Sequence, residues 1–119
     1  MNKKMSIKDT DKLVVGWYEL SFPSGINHYI YVQDNIDYEC DYTMFEVVQG
    51  KMTEIDGGVI SADFDTVDLW YLKEFIYGEL YEEFNNTGLK NVVSSLLLNS
   101  DGDVIDTFEE GYELVEKGA

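Results

Sequence analysis

Few side chains in this sequence could carry out acid–base or nucleophilic chemistry. The chain has 119 residues with one histidine, His28, and one cysteine, Cys40. His28 follows the turn residues Pro23-Ser24-Gly25 at the start of an alternating segment, where a structural role is far more common than catalysis. Cys40 lies between Glu39 and Asp41, and neighbouring carboxylates raise a thiol pKa and suppress the reactive thiolate. We therefore expect a protein that is not an enzyme and holds no cofactor.

The sequence gives little support for a metal-binding site. One histidine and one cysteine cannot complete a tetrahedral zinc site without carboxylates. The segment 99–110 places oxygen-bearing side chains at several positions of a calcium loop, but the glycine needed at the sixth position is Val104. Gly102 instead suits a hairpin turn. The sequence favours a hairpin here, with a calcium loop as the weaker alternative, and we predict no metal ligands.

The charge of the chain is strongly one-sided. Twenty-four acidic residues face eight basic ones, which gives a formal net charge of −16. All eight basic residues are lysines, and four of them lie in the first twelve positions, so residues 13–119 carry a net charge of −18. Such a surface repels phosphate, and without arginine it lacks a bidentate phosphate clamp. We expect no direct binding of nucleic acid or membrane, and attraction to a basic protein partner.

The rest of the composition indicates a folded domain in the cytoplasm. Hydrophobic residues make up 45% of the chain, far more than in a disordered polyacid. One cysteine permits no internal disulfide, and there is neither a signal peptide pattern nor an apolar run of membrane-spanning length. We predict a flexible basic N-terminal tail, residues 1–12, followed by a single acidic α+β domain, residues 13–119.

Alternating hydrophobic and aromatic residues predict an antiparallel meander in the first half. The predicted strands are 13–22, 28–33, 42–49, 52–55 and 59–64. Turn signals separate them at Pro23-Ser24-Gly25, Gly50-Lys51 and Asp56-Gly57-Gly58, and the acidic segment Asp34–Asp41 is predicted as a connection.

The second half predicts one long helix, a hairpin and a short terminal helix. Asp65 is a candidate N-cap for a helix over Thr66–Phe84, which Asn85-Asn86-Thr87-Gly88 would end. Residues 89–98 and 104–107 then predict a hairpin, and the spacing of Thr107 and Glu110 matches a capping box. The predicted fold class is α+β: a single domain with an antiparallel sheet, in β-β-β-β-α-β-β-α order, and one long amphipathic helix packed on it.

The two faces of the long helix separate at 100° per residue. Its inner stripe contains Leu69, Trp70, Ile76, Tyr77, Leu80, Tyr81 and Phe84, with Lys73 as the exception. The outer face combines acids with large apolar groups, including Leu72. We predict a partner-binding ridge formed by Asp68, Tyr71, Phe75, Glu79, Glu82 and Glu83. The alternative is a solvated or internally covered face, in which case the binding surface would lie in the acidic connections 34–41 and 56–65.

Charge and composition together favour an inhibitor. In composition the chain resembles the small acidic proteins that phages and mobile elements encode against restriction or CRISPR systems, although no motif assigns it to one of those families. The resemblance implies a nucleic-acid mimic that occupies the basic groove of a nucleic-acid-processing or defence protein. The alternative is an immunity protein, antitoxin or regulatory adaptor that binds one basic protein without mimicry. Competition with nucleic acid for the partner would separate the two.

Overall fold

The computed structural model describes residues 3–61, 66–80 and 91–115, and for residues 78–80 it describes the backbone alone. The elements in chain order are β1 (Lys3–Ser6), β2 (Gly16–Ser21), β3 (Asn27–Ile36), β4 (Glu39–Val48), β5 (Lys51–Ser61), α1 (Leu69–Leu80), β6 (Val93–Leu98) and β7 (Glu113–Val115). No helix within these ranges is long and apolar enough to cross a bilayer.

All the described strands belong to one sheet, in the order β1-β6-β2-β3-β4-β5-β7. Five of the neighbouring pairs are antiparallel, while β7 runs parallel to β5 through the register Lys51 to Glu113. The long strands β3, β4 and β5 form a meander, of which β3 is the central strand of the sheet and β5 lies next to the edge strand β7. The sheet is therefore mixed, with the end of the chain as one of its edges.

One face of the sheet packs against α1. Alternate residues of the central strands, including Ile30 and Met44, are fully buried there against Leu72, Ile76 and Tyr77 of the helix. Leu69, Ile76 and Tyr77 were predicted on this inner face and are confirmed. Leu72 was placed on the outer face and is fully buried, so that assignment is wrong, while Trp70 is only half-buried. The register of the buried stripe is thus shifted toward Leu72.

Lys73, the polar exception on the inner face, is almost completely buried. Its ammonium group lies 2.7 Å from the Asp9 carboxylate, and 5.6 Å from the Trp70 ring centroid. The pairing satisfies a charge that would otherwise be expensive to bury. It also attaches the segment before β2 to the helix.

The opposite face carries a second, aromatic core. Trp17 lies at its centre, with the rings of Tyr31, Phe45 and Phe108 between 5.0 and 5.2 Å from its own. Phe108 belongs to the segment between β6 and β7, which covers this face instead of forming a helix. A sheet with apolar side chains on both faces must pack against another element on each face. Here α1 packs against one face, and the irregular segment that contains Phe108 packs against the other.

The predicted fold class is wrong in its balance of helix and sheet. The molecule is mostly sheet, and the sheet is mixed instead of purely antiparallel. The helix begins at Leu69, because the Asp68 carboxylate accepts a hydrogen bond from the Tyr71 amide at 2.9 Å and so acts as the N-cap. Asp65, which was predicted as the N-cap of this helix, and residues 81–84, which were predicted as its last turn, lie outside the described residues.

The predicted C-terminal helix is also wrong. Phe108 and Tyr112 recur at near-helical spacing because both rings pack beside the aromatic core, not because they share a helix face. Gly111 has a φ of 86°, a left-handed conformation that interrupts a helix, and Glu113–Val115 then forms β7.

Residues 52–55 and 59–61 of two predicted strands, 52–55 and 59–64, lie in one continuous β5, and residues 62–64 fall outside the described ranges. The Asp56-Gly57-Gly58 break lies inside that strand, next to a register shift between Met44 and Phe45. A Cβ at Gly57 would lie 3.2 Å from the Tyr42 carbonyl oxygen. Glycine therefore marks a close backbone approach within a strand instead of the end of one.

The N-terminal segment assigned to a tail contributes a strand. Lys3–Ser6 pairs antiparallel with β6, and Lys4 forms an ion pair of 2.9 Å with the buried carboxylate of Glu19. The predicted turn at residues 99–103 is present directly after β6. The Asn99 side-chain oxygen accepts hydrogen bonds from the amides of Asp101 and Asp103, so it closes an Asx turn. Val104 contributes an isolated bridge to Leu98 instead of a strand.

Candidate partner-binding surface

The helix ridge predicted to bind a partner is only partly described. Asp68 is the N-cap of α1, and the Tyr71 hydroxyl donates a 3.2 Å hydrogen bond to the Ser61 carbonyl at the end of β5. Phe75 is 37% exposed and meets the Tyr42 ring edge-on, with centroids 6.3 Å apart. Asp68 and Tyr71 thus have structural roles and are half-buried, whereas Phe75 is exposed.

The remaining ridge residues lie beyond what the structure describes. Glu79 belongs to α1, but its side chain is not among those described, and Glu82 and Glu83 fall outside the described ranges. Partner binding by this ridge therefore stays a prediction.

A second acidic surface is formed by the turn that joins β3 to β4. We call residues 34–41 the acidic tip. Asp37 and Tyr38 have φ values of 53° and 70°, so they form a two-residue turn in which both residues are left-handed. This geometry matches the twist of a hairpin. Glycine and asparagine usually occupy such positions, and a bulky aromatic residue there is uncommon. The prediction of a connection at residues 34–41 is wrong, because β3 continues to Ile36 and β4 begins at Glu39.

The carboxylates of the acidic tip are crowded on one face. Asp34 lies directly opposite Asp41, and Ile36 lies opposite Glu39. Like charges in directly opposed positions of an antiparallel pair are destabilising. Within the described part of the chain, no ion pair involves Asp34, Asp37, Glu39 or Asp41. The tip therefore keeps a local excess of negative charge that the fold itself does not neutralise.

Large apolar side chains are exposed among these acids. Ile36 is 57% exposed and Tyr38 is 51% exposed, and Val59, which pairs with Asp41 on the neighbouring strand, is similarly exposed. A shallow groove of about 480 Å³ lies over β4 and β5, and its lining includes Asp41, Glu54 and Asp56. A surface that combines carboxylates with an exposed aromatic residue suits contact with a basic protein.

Asn35 fixes the acidic tip to the body of the protein. Its side-chain amide donates hydrogen bonds to the carbonyl oxygens of Leu13 and Val67 at 2.8 and 2.9 Å, and its oxygen accepts one from the Val67 amide at 2.8 Å. Asn35 is buried and follows an irregularity in the β3–β4 register between Val32 and Asp34. These bonds hold the strand ends and the start of α1 together, so the tip projects from a rigid base.

Cys40 belongs to the acidic tip, and its side chain is fully buried. Burial, together with the charges of Asp41 and Asp34, raises the pKa of the Cys40 thiol to about 12. The raised pKa agrees with the expected suppression of the thiolate. Burial is the largest cause, and the two acids that contribute are Asp41 and Asp34, whereas Glu39 was expected in place of Asp34. The sequence could indicate the acids but not the burial.

His28 is also buried, on the helix side of the sheet. Its Nδ1 lies 3.1 Å from the Tyr77 hydroxyl, and its Nε2 lies 3.6 Å from the Glu46 carboxylate. Burial lowers the pKa of His28, and the attraction of Glu46 opposes this only in part. At neutral pH the ring is therefore uncharged and serves as a packing and hydrogen-bonding group.

The lowered pKa of His28 predicts a pH-dependent stability. The unfolded chain binds a proton near the ordinary pKa of about 6.5, whereas the folded chain resists it, so folding stability falls as the pH drops below that value. The loss ends once the pH is below the folded pKa. We expect the free energy of unfolding to change less between pH 7.5 and 5.5 in His28→Gln than in the parent. An unchanged pH profile in urea unfolding would show that His28 is not the linked group.

Neither protein-family models, nor curated proteins, nor solved structures include a match to this chain.

Proposed function

We propose that this protein is a small acidic inhibitor that acts in the cytoplasm as a mimic of nucleic acid. In this proposal it occupies the basic groove of a nucleic-acid-processing or defence protein, in the manner of anti-CRISPR or antirestriction proteins. The observation that carries the proposal is the acidic tip, whose four carboxylates have no compensating cation among the described residues. Carboxylates held at fixed spacing on a rigid hairpin can take the place of phosphates in a basic groove.

Tyr38 supports a binding role for the tip. An aromatic residue in the left-handed region costs about 1 to 3 kcal/mol of backbone strain, and its ring is half exposed. Exposed aromatic residues are the usual anchors of protein interfaces. A residue that costs stability and contributes little to the core is best explained by a contact outside the chain.

The test uses this protein as bait in a host lysate at low salt, followed by elution with duplex DNA, with RNA, or with rising salt. A mimic predicts that one basic, nucleic-acid-binding protein is retained and that nucleic acid displaces it competitively. Retention of a partner that neither nucleic acid displaces would instead favour an immunity protein, antitoxin or adaptor. Retention of no basic protein at low salt would contradict both.

A single substitution separates binding from folding in the same experiment. Tyr38→Gly removes the strained aromatic residue, so it should leave the fold at least as stable while weakening capture of the partner. Tyr112→Gly is a comparison at an aromatic residue that is likewise exposed but lies outside the tip. Equal capture by the parent and by Tyr38→Gly would remove Tyr38 from the proposed interface.

A further inference from the structure

The outer edge of β5 is open over the half of the strand nearest the acidic tip. β5 has eleven residues, and β4 pairs with one side of it from end to end. On the other side β7 pairs with residues 51–53, and within residues 3–61, 66–80 and 91–115 no further strand pairs with β5 there. Gly57, Gly58, Val59 and Ser61 are exposed. We call residues 57–61 the open edge.

The open edge presents backbone groups that β4 does not use. The Ser61 carbonyl oxygen accepts a 3.2 Å hydrogen bond from the Tyr71 hydroxyl, so it faces away from β4. In an antiparallel pair, residues that bond to the neighbouring strand alternate with residues whose amide and carbonyl groups face away from it. Gly57 and Val59 therefore face the same side as Ser61. A row of such groups at a sheet edge is a template for an added strand.

The shallow groove over β4 and β5 opens onto this edge. Asp41, Thr43 and Glu54 are part of its lining, and pairing places them on one face of the sheet. Gly57 lies opposite Thr43 and has no side chain, so the groove is not closed on the side of the edge. An added strand would lie two strand spacings from β4, about 9.5 Å, a distance that a lysine or arginine side chain and the Asp41 carboxylate span together.

The other face of the sheet is apolar beside the open edge. Gly58 pairs with Tyr42, whose ring meets the exposed ring of Phe75. Phe75 follows Tyr71 by one helical turn, so both project from the side of α1 that reaches the open edge. The side chains of an added strand alternate between the two faces. One set would enter the acidic groove, and the other would lie on the side of Phe75.

We propose, as an extension of the proposed function, that the open edge binds an extended segment of the basic partner as an additional antiparallel β-strand, with lysine or arginine at every second position and apolar residues between them. Main-chain hydrogen bonds to Gly57 and Val59 hold the strand, and the groove selects the basic side chains. Glycine in a strand also permits the close approach of another backbone. A second copy of this chain is a poorer occupant, because two chains of net charge −16 repel each other.

The open edge is continuous with the acidic tip. Ser61 pairs with Glu39, and Val59 pairs with Asp41, so the two surfaces share neighbouring strands. A partner segment added at the open edge would therefore lie beside the carboxylates of the tip. One basic partner can contact both surfaces at once.

The first measurement uses the full chain alone. Amide hydrogen exchange followed by NMR should be fast at Gly57 and Val59, which face the edge, and slow at Gly58 and Ile60, which bond to β4. Protection of Gly57 and Val59 that increases with protein concentration would show that a second copy occupies the edge. Protection that is independent of concentration would show that the chain covers its own edge. Either result would overturn the proposal.

A peptide of alternating lysine and valine, acetylated and amidated, then serves as the probe. We expect saturable shifts of the Gly57 and Val59 signals, and none with the corresponding glutamate–valine peptide. In an antiparallel addition with lysine toward the groove, the lysine amides bond to β5 and the valine amides face outward. Methylation of the lysine backbone amides should therefore abolish binding, whereas methylation of the valine amides should not. Equal binding of the two methylated peptides would show general attraction to a polyanion instead.

Substitutions at the edge test the same contact from the side of the protein. Val59→Pro removes a donor that faces the edge and spares the bonds to β4, because proline is tolerated on an edge strand whose N–H faces solvent. It should weaken binding of the lysine–valine peptide by about tenfold or more. Val59→Thr retains the amide and should bind as the parent does. If Val59→Pro folds poorly, the two methylated peptides still decide the question.

The charge of the groove is tested separately. Asp41→Asn should weaken peptide binding by about threefold, whereas Asp101→Asn, the same change in an exposed turn, should not. Equal binding by Val59→Pro and Val59→Thr, or equal losses in Asp41→Asn and Asp101→Asn, would overturn the proposal. None of these measurements involves the partner, so a failure here is distinct from a failure of the proposed inhibition, which competition with nucleic acid tests.

Discussion

Asn35→Ala is expected to lower the free energy of unfolding by about 3 to 5 kcal/mol. The Asn35 side chain makes three hydrogen bonds of 2.8 to 2.9 Å to the backbone of two other segments, at a position shielded from water. Alanine would leave the carbonyl oxygen of Leu13 and the amide of Val67 without these partners, while the Val67 carbonyl oxygen would keep its 3.2 Å hydrogen bond from the Leu13 amide. Each buried group left unsatisfied costs about 1 to 3 kcal/mol. Urea unfolding followed by tryptophan fluorescence and circular dichroism measures the loss.

Asn99→Ala is the matched control for this substitution. Like Asn35, Asn99 forms hydrogen bonds to the backbone: its side-chain oxygen accepts one each from the amides of Asp101 and Asp103. These partners belong to an exposed turn, where water can replace the side chain. We expect a loss of about 1 kcal/mol or less there. If the two variants unfolded at the same urea concentration, Asn35 would not be the residue that holds the acidic tip to the body.

The second large effect concerns the charges of the acidic tip. The variant Asp34→Asn, Asp37→Asn, Glu39→Gln, Asp41→Asn should slow association with the basic partner by about a hundredfold at low salt. Long-range attraction acts mainly on the association rate, so the dissociation rate should change much less. Surface-binding kinetics at two salt concentrations separate these contributions.

The same variant should fold at least as well as the parent. Removing the opposed charges of Asp34 and Asp41 relieves a repulsion of about 0.2 to 1 kcal/mol, so the unfolding midpoint should rise slightly and depend less on salt. A loss of binding can then be assigned to the surface and not to unfolding.

A control with the same change of charge is available in the exposed segment after β6. Asp101→Asn, Asp103→Asn, Asp106→Asn, Glu109→Gln replaces the same residue types, all exposed and all distant in sequence from the tip. It should reduce the association rate far less. Equal slowing by the two variants would mean that net charge alone, and not the arrangement of the tip, attracts the partner.

Local patterns in the sequence predicted the segments that alternate in hydrophobicity. The positions of β2, β3 and β4 and the turns at Gly25 and Gly50 follow from such patterns, because alternation and turn residues act over a few neighbouring positions. The inward direction of Leu69, Ile76 and Tyr77 was likewise predictable from helical spacing. The burial of Leu72 was not, because the width and rotation of a buried stripe depend on what packs against it.

Long-range pairing could not be predicted from local patterns. The Asp56-Gly57-Gly58 signal resembles a turn, yet pairing with β4 keeps these residues inside β5. The spacing of Phe108 and Tyr112 resembles a helix, yet the aromatic core around Trp17 holds this segment in an irregular path, and β7 then joins the sheet parallel to β5. In each case the local sequence favours one conformation, but the tertiary contacts favour another. The tertiary contacts decide the structure because burying side chains contributes more free energy than the local preference does.

Some properties of the candidate surfaces likewise follow from the sequence, whereas others arise only in the folded structure. The sequence by itself determined the excess of carboxylates, the absence of arginine and the presence of a single histidine and a single cysteine, since these are properties of composition. Only the tertiary structure decided that Asp34 and Asp41 lie opposite each other and that Asn35 anchors them. Pairing register and chain packing create these juxtapositions, and both arise from contacts between residues far apart in the sequence.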